Sequence, residues 1–426
     1  MKRRSRVPKF IFYGLTALMI ISCIVSFACA LSWFNRPFAG FLIYDFPYVG
    51  SMGSRDWPGS KAGLRYLNRI VTVDDRAIWK GRDVVSILKD KEPGTPVHYL
   101  VETKGEVRKV TLPASLFTLK DFILVFLIPF LGGLAIYALG VIVYLLKPNT
   151  SSSWVFFILC FSLGAYMVTG FEMQSSYFSV HLHYLIIPLF PATFFHLGLI
   201  FPDRKRILIR FPAFEYVIYL PALLLIVAYQ VYLFTFETVL STNTLSWIPN
   251  YGQVGTVNRF FTLFCVASLV VFVIHAMFRA STGLARQRAR VIFFGVTIAF
   301  LPAAIITLLV FVVKFNFPWN FLVFFVIFFP ASIAYSIVRH NLFDADEIIK
   351  RTVGYVVVTG IVVGIYAVVS LGLNVVVGQY QMAQSRAFPI LFTLGVILVF
   401  NPLRDRIQAL VDRIFFRKEY DYGAIV

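Results

Sequence analysis

Ten stretches of this chain are apolar for longer than the buried face of a soluble helix requires, and they fix the class of fold before any motif is read. A helix crossing the hydrocarbon core of a bilayer needs about 20 mostly apolar residues. The stretches are Phe10–Phe34, Phe122–Leu146, Trp154–Phe171, His181–Phe201, Ala213–Phe236, Phe260–Phe278, Val291–Val313, Trp319–Val338, Val353–Val377 and Ala387–Phe400. Barrel strands would instead alternate over about ten residues, so the spans are helices. Composition agrees, with 59% hydrophobic and 14% charged residues. A soluble domain is roughly 45–50% apolar and about 25% charged, so the excess here has no soluble core to fill. Aromatic residues at 17% exclude a disordered chain, and four cysteines exclude a disulfide scaffold. The expected fold class is a polytopic α-helical membrane protein of about ten transmembrane helices.

The loops orient these spans. One set of loops, from Lys2–Lys9 through Arg404–Lys418, carries 22 Lys and Arg residues, whereas the short loops on the other side hold Arg259, Lys314 and Arg386. The positive-inside rule makes the basic side cytoplasmic and places both termini there, in a cytoplasmic (inner) membrane. The net charge of +18 is then mostly a topology signal, and no nucleic-acid partner is expected. The first run resembles a secretory signal in its basic start and Ala28-x-Ala30 pair. Its apolar length of about 24 residues exceeds the usual 7–15, which marks it as an uncleaved anchor. Cys23, Cys29, Cys160 and Cys265 fall within spans and read as small buried hydrophobes.

These signals divide the chain into a basic start and anchor (1–34), an extracytoplasmic domain (35–118), a nine-helix membrane region (119–401) and a cytoplasmic helix (402–426). In the 35–118 segment, Gly, Pro and charges interrupt short apolar runs. Gly40-Phe41-Leu42-Ile43 reads as a strand, and Lys61-Ala62-Gly63-Leu64 as a helical turn ended by glycine. Arg69–Val73 reads as a strand stopped by Asp74-Asp75, and Asp83–Lys91 as an amphipathic helix with Val84, Ile87 and Leu88 on one face. Val97–Glu102 and Val107–Leu112 form a hairpin about Lys104-Gly105.

The order of these elements, with Ala62-Gly63-Leu64 followed by Arg69-Ile70-Val71-Thr72-Val73-Asp74-Asp75, resembles a bacterial PDZ domain. Asn68 departs from the family's usual Gly-Asp. The resemblance implies a loop whose backbone N–H groups hold a peptide's C-terminal carboxylate while the peptide adds to a sheet edge. The corresponding residues are Phe38, Ala39, Gly40 and Phe41, with Arg36 beside the bound anion. The other reading is a degenerate domain that only packs on the membrane region.

Catalytic signatures are missing from the sequence. There is no His-Glu-x-x-His zinc helix, no Gly-x-Ser-x-Gly elbow and no Gly-x4-Gly-Lys phosphate loop. His181 and His183, two residues apart, point about 200° apart on a helix and share no metal. His196 lies within a span and reads as a neutral ring bonded across helices. No catalytic residue, metal or cofactor is expected.

Farther along, His196-Leu197-Gly198-Leu199-Ile200-Phe201-Pro202, Tyr335-Ser336-Ile337-Val338-Arg339…Phe343-Asp344-Ala345-Asp346 and Val411-Asp412-Arg413-Ile414-Phe415-Phe416-Arg417 stand in order. Residues 190–421 resemble the multi-span sensory module that precedes GAF, histidine-kinase or phosphatase domains in bacterial sensor kinases. The competence-type quorum-sensing kinases share this layout. The resemblance implies an input module that senses an extracytoplasmic ligand or peptide and acts on a cytoplasmic output domain, and through it a response regulator. The closing segment has its own physical signal. Leu403, Ile407, Leu410 and Ile414 are spaced 4, 3, 4, the period of a coiled-coil seam, and Pro402 suits the first turn of that helix. A homodimer through this helix is expected; the alternative is a helix lying on anionic lipid. Two other functions stay open: a transporter or channel, and a PDZ-bearing membrane scaffold or protease-associated factor.

Overall fold

The computed structural model describes residues 6–338 except 52, 55, 104, 149, 243–249 and 313–318. Eight of its helices are long and apolar enough to cross a membrane. They are span 1 (Lys9–Trp33, within helix α1, Arg6–Trp33), span 2 (Leu119–Leu146), span 3 (Ser151–Gln174), span 4 (Val180–Ile200), span 5 (Phe214–Phe236), span 6 (Tyr251–Arg279), span 7 (Gly283–Ile306) and span 8 (Asn320–Val338). Each coincides with one of the first eight apolar runs. The chain is thus a polytopic helical, membrane-embedded protein. The expected spans Val353–Val377 and Ala387–Phe400 lie outside the described residues, as do Pro402, Leu403, Ile407, Leu410 and Ile414.

Spans 3 and 4 form the centre of the bundle, with 72% of each apolar window buried. Spans 1, 5, 6 and 7 leave most of theirs exposed, on the faces a bilayer would cover. Spans 2 and 3 approach closest. A Cβ on Gly133 would stand 2.7 Å from the Gly164 carbonyl oxygen, and one on Gly164 would stand 2.7 Å from that of Gly133. Only paired small residues permit such backbone contact in a membrane interior. Span 1 is fastened to this pair by Phe12, which stacks on Tyr144 at 4.5 Å and meets Phe157 at 4.9 Å. All four cysteines are free, and Cys29, Cys160 and Cys265 are buried.

Between spans 1 and 2 lies an α+β domain. Its main sheet has the order β3-β2-β4-β5 and is antiparallel throughout, with β2 Arg69–Val73, β3 Arg76–Ala77, β4 Pro96–Thr103 and β5 Glu106–Pro113. A two-stranded ribbon, β1 (Pro37–Phe38) with β6 (Ser115–Leu116), closes the domain where the chain enters and leaves it. Two helices complete it, α2 (Pro58–Lys61) and α3 (Gly81–Lys89). Val97, Tyr99 and Val101 alternate into the core as the period of 2 requires. Asp74 and Asp75 take φ of 47° and 63°, the paired positive values of a two-residue hairpin turn, which is why β2 stops there.

Two local expectations need correction. Gly40–Ile43 is not a strand within the sheet. It begins an irregular loop in which Leu42 N–H donates to Ser51 O and Tyr44 N–H to Tyr48 O. The reason is burial on both sides: Phe41, Leu42, Ile43 and Tyr44 are all buried, between the sheet and the membrane helices. The second helix begins at Gly81 rather than Asp83, because the Asp83 carboxylate caps it by accepting from the backbone N–H groups of Lys80 and Trp79.

The domain sits on one end of the bundle. Trp57 Nε1–H donates to Asp121 Oδ1 at 2.7 Å, Ser51 N–H to Gln174 Oε1 at 2.6 Å, and Tyr177 OH to the Ile43 carbonyl at 3.3 Å. The contacted residues mark the start of span 2, the end of span 3 and the turn into span 4. Tyr232, Phe236 and Tyr251 extend the same face to the end of span 5 and the start of span 6. This alternation of starts and ends is what consecutive antiparallel spans produce. The opposite end carries Lys147, Arg204, Lys205, Arg206, Arg210, Arg279, Arg286, Arg288 and Arg290.

Candidate functional site

A cleft runs between the Arg36–Ile43 segment and α3. One wall is built from Pro37, Phe38, Ala39, Phe41 and Ile43; the other is the Val84, Val85, Leu88 and Lys89 face of α3, and Trp33 also lines the cleft. The spacing of Val84 and Leu88 puts both on the buried face of the helix. Phe38 is held edge-on to Trp57 at 5.0 Å and to Phe117 at 5.7 Å, and Phe41 lies against Tyr99 at 5.6 Å. These contacts fix the rings of the first wall.

Polar groups at this cleft are unusually free. Leu42 and Tyr44 spend their N–H groups on the loop behind them. Among the described residues the amides of Ala39, Gly40, Phe41 and Ile43 donate no hydrogen bond. Arg36 and Lys89 stand exposed at the rim, and among the described residues neither has an ion-pair partner. Buried amides without partners are rare, and two unpaired cations over an apolar floor suit an anion with an apolar tail.

The structure thus brings Arg36, Phe38, Ala39 and Phe41 to one cleft. Gly40 lies behind it: its φ is +73°, its carbonyl accepts from Gly59 N–H, and a Cβ there would stand 2.8 Å from the Pro58 ring. Sequence reading missed the second wall. Val84 and Leu88 were legible as an apolar face, but nothing in the sequence says which segment they would meet. The cavity holds about 50 Å³. That is room for one or two waters at about 30 Å³ each, so an occupant must part the walls.

α3 is tied to what lies beneath. Its first residue, Gly81, donates from N–H to Asp45 O at 2.6 Å, and a Cβ there would stand 1.8 Å from the Tyr44 carbonyl oxygen. Arg82 clasps the Asp45 carboxylate with two hydrogen bonds, at 3.0 and 2.7 Å. Next in the chain, Phe46 is fully buried in an aromatic joint, 4.5 Å from Tyr251, 5.5 Å from Tyr232 and 6.2 Å from Phe236. Tyr184 OH donates to Tyr251 OH at 3.2 Å. Burial pushes the Tyr44 and Tyr177 phenols well above their ordinary range, so both remain protonated. Tyr177 uses its proton on Ile43, a residue of the cleft wall.

The expected histidine roles can be placed. His183 Nδ1 meets Thr169 Oγ1 at 2.8 Å and His181 Nδ1 meets Gln230 Oε1 at 2.7 Å, so the two rings serve different neighbours. His196 bonds across helices to Tyr219 OH and to Glu215, whose other oxygen accepts from Arg204. Among the described residues no cluster of His, Cys, Asp and Glu could hold a metal. No family model, curated protein or solved structure matches this chain.

Proposed function

We propose that the chain is a membrane-embedded signal-receiving module of a bacterial two-component-type sensor. Its 35–118 domain is a PDZ-like unit that takes an extracytoplasmic peptide by its C-terminal carboxylate. The observation that carries this reading is a narrow cleft whose amides and cations have no partners among the described residues, and whose α3 wall is hydrogen-bonded to the loop that enters the spans. A peptide carboxylate would take the free amides and the charges of Arg36 and Lys89, while its apolar side chains displace α3 from Phe38 and Phe41. Moving α3 moves Asp45, and Phe46 with it, in the joint with spans 4, 5 and 6. The Leu403, Ile407, Leu410 and Ile414 seam would carry the change onward in a homodimer, to an output domain in the same or another chain.

The test uses the full chain in lipid nanodiscs and a library of peptides with free C-termini. Peptides that bind should lose binding when amidated, because amidation removes the anion. The double change Arg36→Ala, Lys89→Ala should weaken the free peptides about tenfold, at the scale of a charged hydrogen bond. Equal binding of free and amidated peptides would leave the domain a packing element only.

A further inference from the structure

At the far end of the bundle from the 35–118 domain, a second cleft lies between span 4, span 6 and the loop that follows span 4. Its volume is about 380 Å³, within the roughly 300–1,000 Å³ of ligand pockets. Phe195, Leu199, Phe214 and Phe272 supply apolar walls, and Lys205 and His275 stand among them. We propose that this cleft binds one molecule of an anionic phospholipid, with an acyl chain against the phenylalanines and the phosphate on Lys205.

Three observations lead to this class of ligand. The first is depth. Phe195 and Leu199 belong to the last turns of span 4, Phe272 and His275 to the last turns of span 6, and Lys205 lies just past the end of span 4. The apolar part is therefore at hydrocarbon level and the cation at headgroup level, the arrangement of a phospholipid. The second is charge. Around this end, Arg204, Lys205, Arg206, Arg210, Arg279, Arg286, Arg288 and Arg290 face only Asp203 and Glu215 between residues 203 and 290 on the same loops. Both acids are engaged, Asp203 with Ser281 and Glu215 with Arg204 and His196. Among the described residues Lys205 forms no ion pair; the Asp203 carboxylate acts on it only at longer range. Its ammonium folds over the cleft, donating to the Phe272 carbonyl at 3.3 Å and lying 5.8 Å from the Phe272 ring. Burial lowers its pKa, a penalty that a bound anion would offset. The third is access. Val271 and Ile207 line the cleft and are 59% and 41% exposed. The entrance is thus on the apolar flank of the bundle, which admits a lipid sideways and not a soluble anion.

This cleft shares no lining residue with the Arg36–Lys89 cleft. Its test is native mass spectrometry of the full chain released from detergent, with phosphatidylglycerol, phosphatidylcholine or inorganic phosphate as the probe. The expected result is one retained phosphatidylglycerol per chain, no retained phosphatidylcholine, and no competition by inorganic phosphate. Lys205→Gln should weaken retention about tenfold. Val271→Trp, at an exposed position that tolerates bulk, should abolish it by filling the cleft. Arg210→Gln, outside the lining, should leave it unchanged. Equal retention of the two lipids, competition by inorganic phosphate, or full retention in Val271→Trp would overturn the assignment.

Discussion

Single side chains fix how the 35–118 domain is joined to the membrane region. The indole of Trp57 reaches Asp121, whose carboxylate also accepts from the Thr118 N–H at 2.9 Å and from its hydroxyl at 2.6 Å. Trp57→Phe keeps the ring against Phe38 and removes one donor, leaving Asp121 with two. A lost hydrogen bond to a charged group costs about 1.5–3 kcal/mol; with the remaining donors in place, about 1–2 kcal/mol is expected, read as a lowered thermal midpoint in detergent. Asp74 makes a pH-dependent contribution. Its burial raises the carboxyl pKa, but hydrogen bonds from His98 N–H and Lys91 outweigh that and lower it. A carboxyl lowered on folding stabilises the fold in full above about pH 4, and that contribution is lost as the pH falls through the folded value. The protection factors of the β2 and β4 amides, referred to the intrinsic exchange rate at each pH, should therefore fall below pH 4 in the native protein. Asp74→Asn should exchange faster at neutral pH and show a smaller change on acidification.

The helices and strands differ in how far the sequence reveals them. Eight spans were legible because bilayer crossing demands length and apolarity, and both are local properties. The sheet hairpin was legible because one face is buried and one is wet, which imprints the period of 2 on Val97, Tyr99 and Val101. Gly40–Ile43 was not, since a segment buried on both sides carries no period. Helix pairing was also hidden: a span apolar all round has no stripe to say which face meets a neighbour. Gly133 and Gly164 decide that pairing through backbone contact, and their relation appears only in space. Gly164→Val places methyl groups against the Gly133 backbone. Overpacking of this kind costs about 1–3 kcal/mol or more, and here it should also separate spans 2 and 3. The expected result is a lower thermal midpoint together with faster labelling of Cys160, which is now buried beside Gly140. Gly170→Ala, whose nearest contacts are 3.4 and 3.5 Å away, should change neither.

At the scale of the whole molecule, one continuous core runs from Val84 and Leu88 of α3, through Tyr44 and Phe46, to Tyr184, Tyr232 and Tyr251 of the spans. The candidate site was half legible: Arg36, Phe38, Ala39 and Phe41 could be named from the chain, whereas their link to the spans depends on a loop whose aromatic residues have no periodic signature. Under the proposed function, occupancy of the cleft by a peptide rearranges the distant end of the bundle. Spin labels at the exposed positions Ile209 and Gln287, with the four native cysteines replaced by serine or alanine, report the spacing of that end. The full chain in nanodiscs should show a shifted distance distribution on adding a library peptide with a free C-terminus, and no shift with its amidated form. A peptide that binds the cleft and leaves the distribution unchanged would contradict the account.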